Sequence, residues 1–244
     1  MNDTPENAPD LESPDTGTTT SDPGLRDILF PKRGLSATEA LILINILVFA
    51  ALATLWRAEY LPELRWLTDS WWHDVREHGA YGLFFPTIFM HAGFEHLAAN
   101  LTALLAGAAA VEFLAGSRWT LLAYLVTGMG AAAFSYWRHD APPLSVGASG
   151  AIFGLLGCAV AFITRRRAMF TYRQSRKVLR VYVPLFILLF VPALARADVD
   201  AHVGGLACGL LLGFILPPHP RIARLAAADP MRDEPPPEDA PESR

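Results

Sequence analysis

Charge is scarce in this chain. Only 18% of its 244 residues are charged against 52% hydrophobic, and the mean hydropathy is +0.28, which excludes an ordinary soluble domain of this size. Cysteine is scarcer still. Cys158 and Cys208 are the only two; both sit inside apolar segments and read as small packing residues rather than a disulfide or metal pair. Also missing are a long repeat, a coiled-coil heptad, a soluble domain and a His-Glu-x-x-His signature for zinc hydrolysis. The soluble-hydrolase elbow G-x-S-x-G fails because Ala151 takes its last glycine position and no strand precedes it. The net charge of −4 gathers acid in the termini and base in particular loops, and nothing points to nucleic acid.

What is present is a series of apolar runs. They extend over about 40–56, 84–113, 119–137, 148–163, 178–194 and 199–216, six spans of plausible length for a hydrocarbon core of roughly 30 Å. Residues 1–36, rich in Asp, Glu, Pro, Ser and Thr, cannot bury enough surface to fold and are expected to be a disordered tail. They are too acidic for a secretory signal, so the first apolar run must serve for insertion. Residues 37–217 are expected to form one membrane domain and 218–244 a second disordered tail. The stretch from Arg57 to Tyr81 mixes Tyr60, Trp66, Trp71 and Trp72 with acids and bases, the composition of a segment at headgroup level.

Orientation follows from the basic residues. Arg165, Arg166, Arg167, Arg173, Arg176, Lys177 and Arg180 occur with no acid among them, which places that loop and both termini in the cytoplasm. The second, fourth and sixth spans then start from the outer side.

Those three starts carry the chemistry-bearing residues. Ser149 lies between Gly147 and Gly150 where the fourth span opens. Counted around a helix, Phe153, Gly150, Gly154 and Gly157 all fall within about 140° of it, leaving nearly bare backbone beside the hydroxyl. His202 opens the sixth span with Gly205 and Gly209 on its own face, so the two helices can approach closely. His96 and Asn100, four apart in the second span, share a helix face. A serine with a histidine makes a nucleophile and its base. The Asn100 amide, a His96 ring N–H and the Ser149 backbone N–H are suitable donors to the oxyanion of an acyl transfer. A metal site built on His91, His96 and His202 is the chemical rival, but His91 and His96 are five apart, about 140° around a helix, so no two ligands share a face.

Taken together, these residues resemble the rhomboid family of intramembrane serine proteases. The resemblance covers about Phe84 to Gly213: His96-x-x-x-Asn100, Glu112-x-x-x-Gly116, Gly147-Ala148-Ser149-Gly150, and Ala201-His202-x-x-Gly205-x-x-x-Gly209. It implies an all-α, six-transmembrane-helix bundle in its minimal form, a Ser149–His202 dyad, and an oxyanion hole lined by His96 and Asn100. It further implies an aromatic ring, Phe153, packed on the base, no metal or cofactor, and a cavity open to the outer side. The substrates implied are transmembrane proteins cut near the outer ends of their helices, in a bilayer expected to be the bacterial inner membrane. The Trp-Arg pair that many members carry in the first external loop has no clear match, Trp71-Trp72 being near it. The alternative function is a catalytically silent relative that binds or retains membrane clients; such relatives usually lack the serine or the histidine. A small transporter would call for broken helices or inverted repeats, and neither is visible.

Overall fold

The computed structural model describes residues 36–56, 59–140, 146–169 and 198–227. The elements there are α1 (Ala37–Trp56), α2 (Tyr60–His78), a 3₁₀ turn at Tyr81–Leu83, and the single turn α3 (Phe84–Thr87). After them come α4 (Phe94–Ala115), α5 (Ser117–Arg138), α6 (Ser149–Arg165), a 3₁₀ turn at Arg167–Met169, α7 (Val199–Ile215) and α8 (Pro220–Ala227). Every regular element among the described residues is helical. The expected fifth span at 178–194 lies outside them, as do the tails up to residue 35 and from residue 228.

Among the described residues, two helices, α1 and α4, are long and apolar enough to cross a membrane; α6 and α7 are apolar but 17 residues each, about 26 Å of helix. Large apolar side chains on α1 (Leu43, Ile44, Leu47) and α7 (Leu211, Ile215) remain exposed. Only an apolar surrounding makes that inexpensive, which is what lipid-facing positions require. The core gathers instead on α4 and α6, on small residues including Ala108, Ala110 and Ala151 and on Leu155, around the fully buried Tyr124 of α5.

Two boundaries differ from expectation. The second span starts at Phe94, not Phe84: Pro86 and the extended Gly93 interrupt the apolar run, and residues 88–93 form a turn between α3 and α4. The tail expected from residue 218 is structured as far as Ala227. Pro220 begins α8, the helix position where proline's missing N–H costs nothing, Ile222 is buried, and the His219 N–H donates to the Leu114 carbonyl at 2.8 Å.

Capping explains where α1 begins. Ser36 and Glu39 bond reciprocally, Ser36 N–H to Glu39 Oε2 at 2.9 Å and Glu39 N–H to Ser36 Oγ at 3.1 Å, a capping box. The next two amides are satisfied from another helix. Glu112 of α4, only 8% exposed, accepts from Ala37 N–H at 2.8 Å, Thr38 N–H at 3.0 Å and Thr38 Oγ1 at 2.6 Å, and also from Ser117 Oγ at 2.5 Å. The carboxylate thus complements both the orphan donors and the positive end of the helix dipole. At the C-terminal ends of α6 and α7, Arg165 and Arg166 donate to the carbonyls of Phe214 and Leu216, the complementary arrangement.

The helix α2 is docked by aromatic and cationic contacts. Trp72 packs on Tyr136 of α5 with ring centroids 4.8 Å apart, and the Arg76 guanidinium lies 5.5 Å and 5.8 Å from the two rings. Arg76 also donates to the Asp140 carbonyl at 3.1 Å. A tryptophan and an arginine therefore do pair in this segment, one helical turn apart rather than in succession. The Tyr60 hydroxyl, whose pKa burial raises, donates to the His91 carbonyl at 2.5 Å and ties the start of α2 to the turn before α4.

Candidate active site

Glycine brings α6 and α7 together. A Cβ on Gly205 would lie 2.0 Å from the Gly150 carbonyl oxygen, one on Gly209 would lie 1.9 Å from that of Gly154, and one on Gly213 would lie 2.4 Å from that of Cys158. No side chain fits at those distances, so backbone rests on backbone over three turns. The other face of α6 is held by α5, where Gly154 sits against Thr127 and Gly150 against Ala131.

This contact sets His202 beside Ser149. The His202 Nε2 atom is 2.9 Å from Ser149 Oγ, hydrogen-bonding distance for a base and the hydroxyl it would deprotonate. Phe153, one turn along α6, stacks on the imidazole with ring centroids 4.2 Å apart and planes 9° from parallel. His202 is 3% exposed, whereas Ser149 is half-buried. Ring stacking on one side and the hydroxyl at Nε2 restrict the imidazole to a narrow range of orientations.

Ser149 is the first residue of α6, after Ala148, which supplies no side-chain cap. The helix ladder opens with Ile152 N–H to the Ala148 carbonyl at 2.9 Å, so the Ser149 and Gly150 amides precede it and belong to the orphan donors of the helix N-terminus. Gly147 holds this turn with φ at +120°, a conformation that favours glycine, and its N–H donates to the Thr87 carbonyl at 2.9 Å.

His96 and Asn100 border the same turn. A Cβ on Gly147 would meet His96 Cε1 at 2.9 Å, His96 Nε2 at 3.0 Å and Asn100 Nδ2 at 3.7 Å, so both polar ends face the backbone that leads into Ser149. Asn100 is buried and spends one amide hydrogen on the His96 carbonyl at 2.9 Å, which leaves the other for a ligand. Ser149, His202, Phe153, Gly147, Gly150, His96, Asn100 and Gly205 thus come together at one end of the helices, with Gly209 one turn deeper against Gly154.

His91 stands apart from these. It is fully buried, its Nδ1 bonds the Phe89 carbonyl at 3.2 Å, and its ring meets that of His96 edge-on at 5.2 Å. Among the described residues, the side chains with ligand atoms close enough for a metal are His73, Asp74 and His78 on α2, not His91, His96 and His202.

Two supports at this end escaped sequence reasoning. Asp198 caps α7: its Oδ1 accepts from Ala201 N–H at 3.0 Å. An aspartate directly before the first apolar residue is an N-cap signal and was there to be read. Ser135 of α5 donates to Asp198 Oδ2; no local pattern announces a contact between positions so far apart in sequence.

A family model described as the Rhomboid domain matches residues 71–219. RHOMBOID-like protein 1 of Arabidopsis thaliana is 33% identical over 141 residues, covering 58% of this chain and 36% of that protein. The putative rhomboid protease YdcA of Bacillus subtilis is 29% identical over 138 residues, covering 57% of this chain and 68% of that protein. Rhomboid protease GluP of the same bacterium is 35% identical over 129 residues, covering 53% and 25% respectively. The chain spans less than half the length of the Arabidopsis relatives it matches, 36% of one and 45% of RHOMBOID-like protein 2.

Proposed function

The chain belongs to the rhomboid family of membrane-embedded proteins, and on that premise we propose that it is an intramembrane serine endopeptidase. It hydrolyses peptide bonds in or near the transmembrane segments of membrane-protein substrates. The observation that carries this reading is the 2.9 Å contact between His202 Nε2 and Ser149 Oγ, reached by two helices that touch through glycine.

The chemistry follows from that contact. Ser149 Oγ attacks the scissile carbonyl carbon while its proton passes to His202 Nε2. The carbonyl oxygen becomes an oxyanion, stabilised by the Ser149 amide, the free hydrogen of the Asn100 amide and a His96 ring N–H. His202 then gives its proton to the departing amine, the C–N bond breaks, and an acyl ester remains on Ser149. A water molecule deprotonated by His202 attacks the ester, and return of that proton to Oγ releases the carboxyl product. No step calls on a metal or cofactor. The six-span arrangement, cytoplasmic termini and outward-facing site belong to the same proposal, as do the bacterial inner membrane and the substrate class.

The test uses the purified full chain with a panel of labelled transmembrane substrates. The wild type should generate new termini, mapped by mass spectrometry, and label with a fluorophosphonate, while Ser149→Ala and His202→Ala should do neither. Retention of more than a trace of turnover in either variant would refute the dyad. A wild type that captures substrate helices without cutting them would instead be a client-binding relative.

A further inference from the structure

Serine and threonine in these helices mostly satisfy their own turn. Thr54, Thr68, Ser70, Thr102, Thr120 and Thr127 each donate to the carbonyl four residues earlier, the usual behaviour of a hydroxyl on an apolar helix. Ser135 does not. It is fully buried on α5, and its hydroxyl donates across to Asp198 Oδ2, a residue 63 positions away.

Asp198 is the residue on which the first turn of α7 is built. Its carbonyl accepts from His202 N–H at 3.3 Å, its Oδ1 accepts from Ala201 N–H at 3.0 Å, and its Oδ2 accepts from Ser135. The imidazole's own backbone amide and the one before it therefore hang from a single aspartate whose remaining oxygen is fixed to another helix. The next turn of α5 repeats the contact, with Arg138 Nε 3.4 Å from Asp200 Oδ1 and His139 Nε2 3.7 Å from Asp200 Oδ2. Those two side chains are partly exposed and so are worth little as anchors. The Ser135 hydroxyl is fully buried, and its bond to the half-buried Asp198 carboxylate is of the stronger, charge-assisted kind. Nearby, Gly204 rests on Phe134, where a Cβ would lie 2.4 Å from the Phe134 Cβ, so α5 supplies a firm base for the anchor.

Resting on the protease reading above, we propose that Ser135 is a positioning residue for His202. Through Asp198 it fixes the depth and rotation of the first turn of α7, and hence the Nε2–Oγ geometry, while touching neither reacting side chain. Removing the hydroxyl leaves Asp198 with only its own turn to hold, the end of α7 frays, and the imidazole spends less time in line with Ser149. Misplacement by about 1 Å costs on the order of a hundredfold in rate, and a partly populated misplacement costs less.

The experiment measures kcat and KM for Ser135→Ala, Asp198→Ala and the double variant. Rates are counted per Ser149 titrated to completion with a fluorophosphonate, so that only assembled protein enters. Ser135→Ala should lower kcat about ten- to a hundredfold with KM within about twofold, because positioning is lost and substrate binding is not. Asp198→Ala should lose at least as much, and the double variant no more than Asp198→Ala alone, since Ser135 acts only through that acid. A kcat for Ser135→Ala within threefold of wild type, or losses that multiply in the double variant, would overturn the proposal. A wild type that neither cleaves nor labels refutes the protease reading itself.

Discussion

Adding one methyl group to the α6–α7 contact at Gly205 or Gly209 should slow catalysis severely without touching a reacting atom. At Gly205 the new Cβ would stand 2.0 Å from the Gly150 carbonyl oxygen, and at Gly209 it would stand 1.9 Å from that of Gly154. A carbon and a carbonyl oxygen rest no closer than about 3.3 Å, so the helices must part by roughly 1.3 Å at either site. Both obstacles are backbone, so neither can swing aside as a side chain would. Carried to His202, one turn before Gly205, that displacement stretches the 2.9 Å contact with Ser149 to roughly 4 Å, beyond the reach of proton transfer. The expected loss in kcat is about a hundredfold, or about 2.7 kcal/mol of barrier. Alanine also gains about 1 kcal/mol of helix propensity over glycine, but overpacking typically costs about 1–3 kcal/mol, so stability should not rise. Gly213 provides the contrast. Its Cβ would lie 2.4 Å from the Cys158 carbonyl, needing only roughly 0.9 Å of relief, and it sits about 16 Å along the helix from His202. Gly213→Ala should cost less than about tenfold, because α7 can tilt about its upper contacts. The assay is kcat on a cleavable transmembrane substrate in proteoliposomes, normalised to titrated Ser149. A kcat within threefold of wild type in Gly209→Ala, or equal losses at all three glycines, would refute the idea that this backbone contact sets the dyad distance.

Two further outcomes follow from contacts already described. His96→Ala and Asn100→Ala should each lower kcat on the order of a hundredfold, the usual cost of one oxyanion donor, while fluorophosphonate labelling slows but still goes to completion; labelling absent in both would show that they do more than donate. Glu112→Ala strips three hydrogen bonds from the buried start of α1 and a fourth from Ser117 and should lower unfolding stability by about 2–4 kcal/mol, with Glu112→Gln between it and wild type. Because Glu112 lies about 24 Å along α4 from His96, kcat per folded molecule should not change in either variant. A denaturation midpoint unmoved in Glu112→Ala would contradict the capping role.

Much of the arrangement was legible because it depends on period. Gly150 and Gly154 on one helix and Gly205 and Gly209 on the other are each four residues apart, and that spacing alone put both pairs on the faces that meet. The mistaken start at Phe84 has an equally local cause: the run from Phe84 to Met90 is apolar but for Thr87, and its composition outweighed Pro86 and Gly93, the two residues that break the helix. What could not be read were pairings across distance. Nothing local says which element stands opposite Glu112 or Ser135, so the bonds to Ala37, Thr38 and Asp198 needed the fold. Trp72 and Arg76 were obscured in another way. Their docking on Tyr136 depends on α2 lying against the end of α5, a placement that composition at headgroup level does not specify.

The Glu112 contact also dictates an order of events during synthesis. Ala37 and its acceptor are separated by 75 residues, which a ribosome making about 5–20 residues per second covers in roughly 4 to 15 s. For that interval the α1 entrance has only the Ser36–Glu39 box to hold it, and the amides of Ala37 and Thr38 must find water or headgroups. Arrival of Glu112 closes the turn and joins the first helix to the fourth. The α1 entrance can therefore close only after the segment bearing His96 and Asn100 has been made, so the first helix and the fourth are joined by a contact that neither can form alone.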